Sequence, residues 1–438
     1  MSNTLDNDPD QKTQSFSEPT RYTRRNFWIF VFEGSLYGGG LSFVALDSVI
    51  PGVVRNLGGG DTLVAFLPTM MFLGFCIPQL LTVKWMESLP RYLPVLRITG
   101  FFQRIVYLIA FVALWFLPED QTLIALILVA TCPLISGLFG GITITGWMRM
   151  TARTVPGKKR SSGTASRNLI AALIGIFAGI FVEQILARES GLRGISIIHG
   201  MSFLFLAISY LVFLFTDEPE GVVEPKAAST ESSTLSGFKE ILRKDQIFRY
   251  YIFNRMGAML VWVLVPFMAV HAIAVTEAGL EFTGRLLAFQ MAGNIIGNIL
   301  GGFLGDKKGS LLVLLVARIV FIVAALCSLL SQTPLGFCIG FACWGVTFAM
   351  QMIGEQTFIV EHAFGKKLPT YVAFGASVAL VMMFSAGALA ALLRSSSDSI
   401  WPLGMTALFG VTSSIIILMT RVKDPRFHNP ALTNGTTR

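Results

Sequence analysis

The chain has 438 residues, of which 53% are hydrophobic and only 14% are charged, and its mean hydropathy is +0.66. Soluble proteins carry about 25% charged residues, so the composition excludes a soluble enzyme, a disordered chain and a secreted disulfide scaffold. The net charge of +8 does not indicate nucleic-acid binding, because the basic residues lie in short clusters between apolar runs.

Twelve apolar runs follow one another along the chain. Each is long enough to cross the roughly 30 Å hydrocarbon core of a bilayer, and in lipid such a run must be helical to satisfy its own backbone hydrogen bonds. The predicted spans, numbered 1 to 12, lie at 26–50, 62–83, 92–117, 121–148, 168–187, 195–216, 247–275, 283–304, 311–331, 334–360, 369–393 and 400–420.

A polar segment rich in Pro, Glu and Ser separates span 6 from span 7, as is typical of a linker. The sequence therefore predicts an all-α integral membrane protein with two six-helix halves. Its predicted parts are an N-tail (1–25), an N-terminal six-helix bundle (26–216), a linker (217–245), a C-terminal six-helix bundle (246–420) and a C-tail (421–438).

The distribution of Lys and Arg predicts the orientation, because cytoplasmic loops are enriched in these residues. The two tails, the linker and the connections 2–3, 4–5, 8–9 and 10–11 together hold 24 of the 34 basic residues, whereas the opposite loops hold 4. We therefore expect a multi-pass protein of the plasma (cell inner) membrane with both termini and the linker in the cytoplasm.

The two halves share short sequence matches at corresponding places. Span 3 contains Arg104-Ile-Val-Tyr-Leu-Ile-Ala, and span 9 contains Arg318-Ile-Val-Phe-Ile-Val-Ala. The cytoplasmic exits of spans 4 and 10 also share the internal spacing of two glycines and a Lys-Lys pair. These matches indicate a duplication, which is the usual construction of secondary transporters.

The connection between spans 8 and 9 carries the most specific motif, in which Gly302 is followed by Asp306, Lys307 and Gly309. With this motif, and with the segment that begins at Asp47 in span 1, the chain resembles the major facilitator superfamily over about residues 26–420. The resemblance implies that the motif forms part of a cytoplasmic gate. Ser310 departs from the basic residues with which the family motif continues.

Ionisable side chains within the spans are candidates for function, because they are costly in hydrocarbon and normally face a cavity or a partner. Helix rise places four of them, Glu33, Arg255, Arg318 and Glu355, about 10–13 Å from the cytoplasmic boundary, and Arg104 joins this layer if span 3 starts near Arg97.

The family resemblance implies that spans 1, 7 and 10 line the cavity, which favours Glu33, Arg255 and Glu355 as the substrate and proton pathway. It places spans 3 and 9 outside the cavity, so Arg104 and Arg318 are predicted to be structural charges. The alternative for the whole layer is a salt-bridge lattice that only holds the helices together.

Two further carboxylates lie farther along their spans. Glu183 of span 5 is either a proton-carrying group on the same pathway or a partner of Arg188 at the end of its own helix. Asp47 of span 1 is predicted to be a structural charge.

The sequence contains no nucleophile–base pair, metal-ligand cluster or nucleotide-binding loop. We therefore expect a monomeric secondary transporter of an unidentified small solute, with protons as the candidate coupling ion and with no cofactor, metal or nucleic-acid partner. Two alternatives are an integral-membrane enzyme that modifies lipid and a non-transporting sensor or scaffold derived from a transporter.

Overall fold

A computed structural model describes residues 21–189, 191–218, 239, 242–243, 245–362 and 368–422, and no β-strand occurs within these residues. The helices are α1 (Arg21–Ser42), α2 (Val49–Asn56), α3 (Asp61–Glu87), α4 (Leu93–Phe116), α5 (Thr122–Thr154), α6 (Gly157–Arg188), α7 (Leu192–Leu214), α8 (Gln246–Met259), α9 (Val265–Thr276), α10 (Phe282–Lys308), α11 (Ser310–Leu330), α12 (Pro334–His362), α13 (Leu368–Ser396) and α14 (Trp401–Val422).

These helices form the twelve predicted spans. Span 1 consists of α1 and α2, span 7 consists of α8, a 3₁₀ turn at Leu260–Val263 and α9, and each other span is one helix. By length and composition, eleven spans within the described residues are apolar enough to cross a membrane. Span 1 is less apolar, because α1 carries Arg24, Arg25 and Glu33.

The two halves pack in the same order. In the first half span 4 packs on spans 2 and 3, span 6 packs on spans 1 and 3, and span 5 packs on span 1. The second half repeats each of these pairs with the spans numbered six higher. Corresponding helices therefore have corresponding neighbours, as the duplicated sequence segments predicted.

The two ends of the molecule differ in how the halves meet. We call the end that carries Arg21 and Val422 the tail end, and the end that carries Asn56 and Asp61 the far end. One apolar cluster crosses between the halves, with Ile50, Val182, Leu264, Leu286 and Phe341 among its buried members. By contrast, the buried apolar clusters nearest the tail end each belong to one half.

Two helices are longer than the sequence predicted. Span 4 continues to Thr154 and span 5 already begins at Gly157, so Val155 and Pro156 alone separate them. The basic segment between the apolar runs was expected to form a loop. Lys and Arg are good helix formers, and their long side chains can reach water from a helix end.

The predicted linker begins with two residues that are fixed to the first half. The buried carboxylate of Glu218 accepts hydrogen bonds from the backbone N–H groups of Tyr92 (2.9 Å) and Leu93 (2.7 Å) at the start of span 3, and it lies 3.6 Å from Arg153. The Asp217 carbonyl accepts a bond from Asn26. Most of the remaining linker, both predicted tails up to residue 20 and from residue 423, and residues 363–367 lie outside the described residues.

Candidate functional site

The first span of each half is interrupted. In span 1, α1 ends at Ser42 and α2 begins only at Val49, and in span 7 the 3₁₀ turn at Leu260–Val263 replaces regular helix. Interrupted helices at corresponding positions of two repeats mark the substrate site of many transporters, because they expose polar backbone groups inside the membrane.

Asp47 lies in the interruption of span 1 and connects the two halves. Its Oδ2 atom accepts a hydrogen bond from Gln290 Nε2 of span 8 (2.6 Å) and from Trp344 Nε1 of span 10 (2.9 Å). Trp344 is almost fully buried and its ring contacts Trp262 of span 7 edge to face. The sequence analysis predicted a structural role for Asp47, and the structure places it in a contact between halves.

The halves are closed against each other at the far end. Glu183 of span 5 pairs with Arg285 of span 8, whose Nε lies 2.9 Å from Oε1. Asp61 of span 2 pairs with Arg394 of span 11 at 3.3 Å and also with Arg55. The partner of Glu183 is thus an arginine of the other half, and not Arg188 of its own helix, which was the suggested alternative.

Glycine allows spans 5 and 8 to touch at the backbone near this end. A Cβ atom on Gly179 would lie 2.6 Å from the backbone nitrogen of Ala288 and from the carbonyl oxygen of Gly284. No side chain fits at such distances, so the close approach of the halves depends on these glycines.

Toward the tail end, the first half holds a buried charge cluster around Glu33 of span 1. Arg104 Nη2 of span 3 donates to Glu33 Oε1 at 3.0 Å, and Arg167 Nη1 of span 5 lies 3.9 Å from Oε2. Arg104 also donates to the carbonyl of Gly100 (2.9 Å) and to Ser209 Oγ (3.3 Å). The carboxylate is therefore shared by two arginines.

A cavity of about 130 Å³ adjoins this cluster. Glu33, Arg104 and Arg167 line it, and its other walls are mainly apolar or aromatic. Its remaining lining residues are Tyr37, Phe75, Leu96, Gly100, Gln103, Gly140, Thr143, Ile144, Trp147 and Phe213. Every one of these lining residues belongs to the first half.

The second half holds a separate cluster around Glu355 of span 10. Arg255 Nη2 of span 7 lies 3.2 Å from Glu355 Oε2, and Arg318 Nη2 of span 9 lies 4.0 Å from Oε1. Arg318 is fully buried and donates to Gln351 Oε1 (2.9 Å) and to Ser414 Oγ (3.2 Å). Glu355 is buried, and the Arg255 side chain is 14% exposed.

The structure thus divides the predicted charge layer in two. Among the described residues, each ion pair of the layer stays within one half, and Arg255 pairs with Glu355 rather than with Glu33. Arg104, predicted as a structural charge outside the cavity, lines the cavity beside Glu33.

Arg167 was missed by the sequence analysis because span 5 was expected to begin one residue after it. Since the helix starts at Gly157, Arg167 lies ten residues inside it, about 15 Å along the axis. The segment between Gly157 and Arg167 contains Gly163 and three serines, which are not strong helix formers, so local propensity gave no signal of this depth.

The motif between spans 8 and 9 is a helix end rather than an extended loop. Gly302, Asp306 and Lys307 lie in the last turns of α10, and only Gly309 stands between this helix and the next. Gly309 has φ +81°, a conformation that favours glycine. Asp306 and Lys307 are exposed, and the Lys307 ammonium lies 4.1 Å from the centre of the Phe303 ring.

The sequence matches the family described as Major Facilitator Superfamily over residues 36–254 and 247–436. The match covers both six-helix halves. The chain belongs to the Major Facilitator Superfamily. It is therefore a multi-pass membrane protein of a transporter family, and the predicted fold of twelve helices in two related halves is confirmed. No protein of curated function matches the sequence significantly.

Solved structures of this superfamily resemble the chain over nearly its whole length. A D-xylose–proton symporter has a TM-score of 0.66 at 11% identity and covers 90% of this chain and 97% of its own. A bacterial homologue of the iron transporter ferroportin in the inward-facing state has a TM-score of 0.63 at 13% identity, with coverages of 91% and 99%. The nucleoside transporter NupG has a TM-score of 0.60 at 11% identity, with coverages of 95% and 100%. At these identities the likeness shows the fold alone.

Proposed function

We propose that this superfamily member is a secondary active transporter, not an enzyme, which moves a small solute across the plasma membrane by alternating access and acts as a monomer. The observation that carries the proposal is that the two halves are closed against each other at one end of the molecule, the far end. Within the described residues, the ion pairs between halves lie at the far end, whereas the cavity and both charge clusters lie on the tail side of Asp47.

The tail end is the cytoplasmic end in this proposal, because the tails and the tail-side connections hold 24 of the 34 basic residues. The described conformation is then inward-facing. To face outward, the protein separates the Glu183–Arg285 and Asp61–Arg394 pairs at the far end and closes the tail end. Closure brings the exposed Asp306 and Lys307 against the first half, where they act as a cytoplasmic gate.

Protons are the proposed coupling ion, and Glu33 or Glu355 is the proposed carrier, with Glu183 on the pathway at the far end. Burial disfavours a charged carboxylate and a nearby guanidinium favours it. Arg104 and Arg167 lie beside Glu33, and Arg255 and Arg318 lie beside Glu355. A change in these distances during the conformational cycle loads or unloads the proton.

Distances between spin labels test the proposal without a known substrate. Exposed positions at the far end give the pair Arg188→Cys and Glu277→Cys, and exposed positions at the tail end give Ser88→Cys and Lys308→Cys. The five native cysteines are first replaced by alanine. A transporter shows two populations at each end, with the far end opening as the tail end closes.

Proton coupling is tested by repeating the measurement in acidic and alkaline buffer with Glu33→Gln and Glu355→Gln. We expect the populations of the parent protein to shift with pH and one of the two variants to lose that shift. If both variants keep the parental response, neither carboxylate couples transport. A single distance at each end under all conditions would indicate a scaffold, and chemical change of added lipid would indicate an enzyme.

A further inference from the structure

The two charge clusters contain more positive charge than their carboxylates neutralise. In each half two arginines share one carboxylate. The groups are Arg104 and Arg167 with Glu33 in the first half, and Arg255 and Arg318 with Glu355 in the second. Among the described residues no other carboxylate pairs with these arginines. Because an uncompensated charge inside a membrane protein is costly, each excess guanidinium is a candidate partner for an added anion.

Arg167 is the arginine with the most unused hydrogen-bonding capacity. Arg104 bonds a carbonyl and a hydroxyl in addition to Glu33, and Arg318 bonds Gln351 and Ser414. Within the described part of the chain the Arg167 guanidinium makes no hydrogen bond, and its closest carboxylate oxygen, at 3.9 Å, is beyond hydrogen-bond distance. A guanidinium has five N–H donors.

The side chain of Arg167 is nevertheless held in one place. Its Cζ atom lies 4.8 Å from the centre of the Trp147 ring and 5.3 Å from that of Phe30, which are favourable cation–π distances. The Arg167 side chain passes over Gly34 so closely that a Cβ atom at Gly34 would overlap the guanidinium. Arg167 therefore presents donors to the cavity that it lines, and little side-chain entropy remains to be lost when they bind an anion.

We infer that this cavity binds a small organic anion whose carboxylate pairs with Arg167. The planar guanidinium matches a carboxylate with two parallel hydrogen bonds. The apolar part of the solute then lies against Tyr37, Phe75 and Trp147 in the same cavity. This inference rests on the proposed function, since the bound anion is taken to be the transported solute.

Thermal unfolding of the purified full chain tests the anion site. The probes are acetate, benzoate and succinate, each compared with its neutral amide at equal ionic strength. We expect at least one carboxylate to raise the unfolding temperature while its amide does not, because a ligand stabilises the state that it binds. Arg167→Gln is expected to weaken that carboxylate's apparent affinity by about tenfold or more, from the loss of charge-assisted hydrogen bonds.

Two further variants control the experiment. Arg97→Gln removes a positive charge seven residues before Arg104 on the same helix, but Arg97 bonds the Leu214 carbonyl and does not line the cavity, so the full carboxylate response should remain. Arg167→Lys keeps the positive charge but removes the planar guanidinium that can form two parallel hydrogen bonds, so it should retain part of the carboxylate response. It also provides the test if Arg167→Gln does not fold.

The inference is overturned if every carboxylate behaves like its amide, or if the response survives in Arg167→Gln. The spin-label distances separate this failure from failure of the proposed function. A protein that alternates between two states but does not respond to carboxylates is a transporter without this anion site. A protein that binds carboxylates and shows one distance at each end has the site without transport.

Discussion

The charge clusters of the two halves occupy corresponding positions and differ in their surroundings. Arg104 and Arg318 lie in the same repeated sequence segment, and each contacts a buried carboxylate. Around Arg318 the remaining bonds go to Gln351 and Ser414, and the side chain is fully buried. In the first half Arg167 keeps free donors and lines a cavity. The same helical framework thus supports a fully buried arginine in one half, which we call the closed network, and an arginine that lines a cavity in the other, which we call the open network.

Arg104 and Arg318 have partners that come from different spans in the two halves. The carboxylate lies on span 1 in the first half (Glu33) and on span 10 in the second (Glu355), and the second arginine lies on span 5 (Arg167) and on span 7 (Arg255). Spans 1 and 10 are not equivalent in the repeat. The two halves therefore share their helix positions but not the residues that make up their charge clusters.

The largest expected difference between the two clusters concerns Arg104 and Arg318, the arginines at equivalent positions of the repeated segment. Arg318→Gln should lower the free energy of unfolding by about 3–5 kcal/mol, the usual effect of breaking a buried ion pair, because Gln351 and Ser414 lose their partner as well. Arg104→Gln should have a smaller effect, because Glu33 borders a cavity in which water can solvate its carboxylate. Equilibrium unfolding in mixed detergent micelles measures both, and equal losses would contradict the distinction.

A second difference is expected for the carboxylates. Glu355→Gln leaves Arg255 and Arg318 as two buried like charges without a carboxylate, so we expect about 3–5 kcal/mol of destabilisation. Glu33→Gln should be milder, since water or an anion in the cavity can solvate the arginines there. Unfolding with and without added benzoate sharpens the contrast: benzoate should stabilise Glu33→Gln more than the parent protein, and should stabilise Glu355→Gln only as much as the parent protein, because the first-half cavity is intact in that variant. A stabilisation of Glu355→Gln larger than that of the parent protein would instead assign the open network to the second half.

The smallest effect on stability is expected for a matched pair of glycines. Gly34→Ala requires Arg167 to move, whereas in the second half a Cβ atom on Gly375 lies at an ordinary 3.6 Å from Arg255 Nη1. We expect both variants to stay within about 1 kcal/mol of the parent, because alanine favours helix and a long side chain can shift. Only Gly34→Ala should lose the carboxylate response in thermal unfolding, and loss in both would show that the response is not specific to Arg167.

The sequence was sufficient to predict the fold because lipid leaves few alternatives. An apolar run of about 20 residues must form a helix, so twelve runs predicted twelve spans, including span 1 with its charges. The ends of the helices were less predictable. Arg160, for example, lies inside α6 although it was assigned to a loop, because hydropathy marks the part of a helix in lipid and not the turns that extend into water.

The candidate site was predictable only in part. Composition identified Glu33 and Glu355 as buried charges, but their partners depend on which helices touch. Asp47 meets Gln290 and Trp344, which lie more than 240 residues away in sequence. No local sequence pattern predicts a contact between residues so far apart in sequence. The N–H donors of Arg167 are likewise free because, in the tertiary structure, the rings of Phe30 and Trp147 lie beside its guanidinium.

The bonds of Glu218 have a consequence for the modularity of the chain. Its carboxylate satisfies two backbone N–H groups at the N-terminus of span 3, a position that also favours negative charge through the helix dipole. Span 3 is thus completed by a residue that follows span 6, and the folding unit of the first half extends to residue 218. A division of the chain into separately produced halves should leave Glu218 with the first fragment.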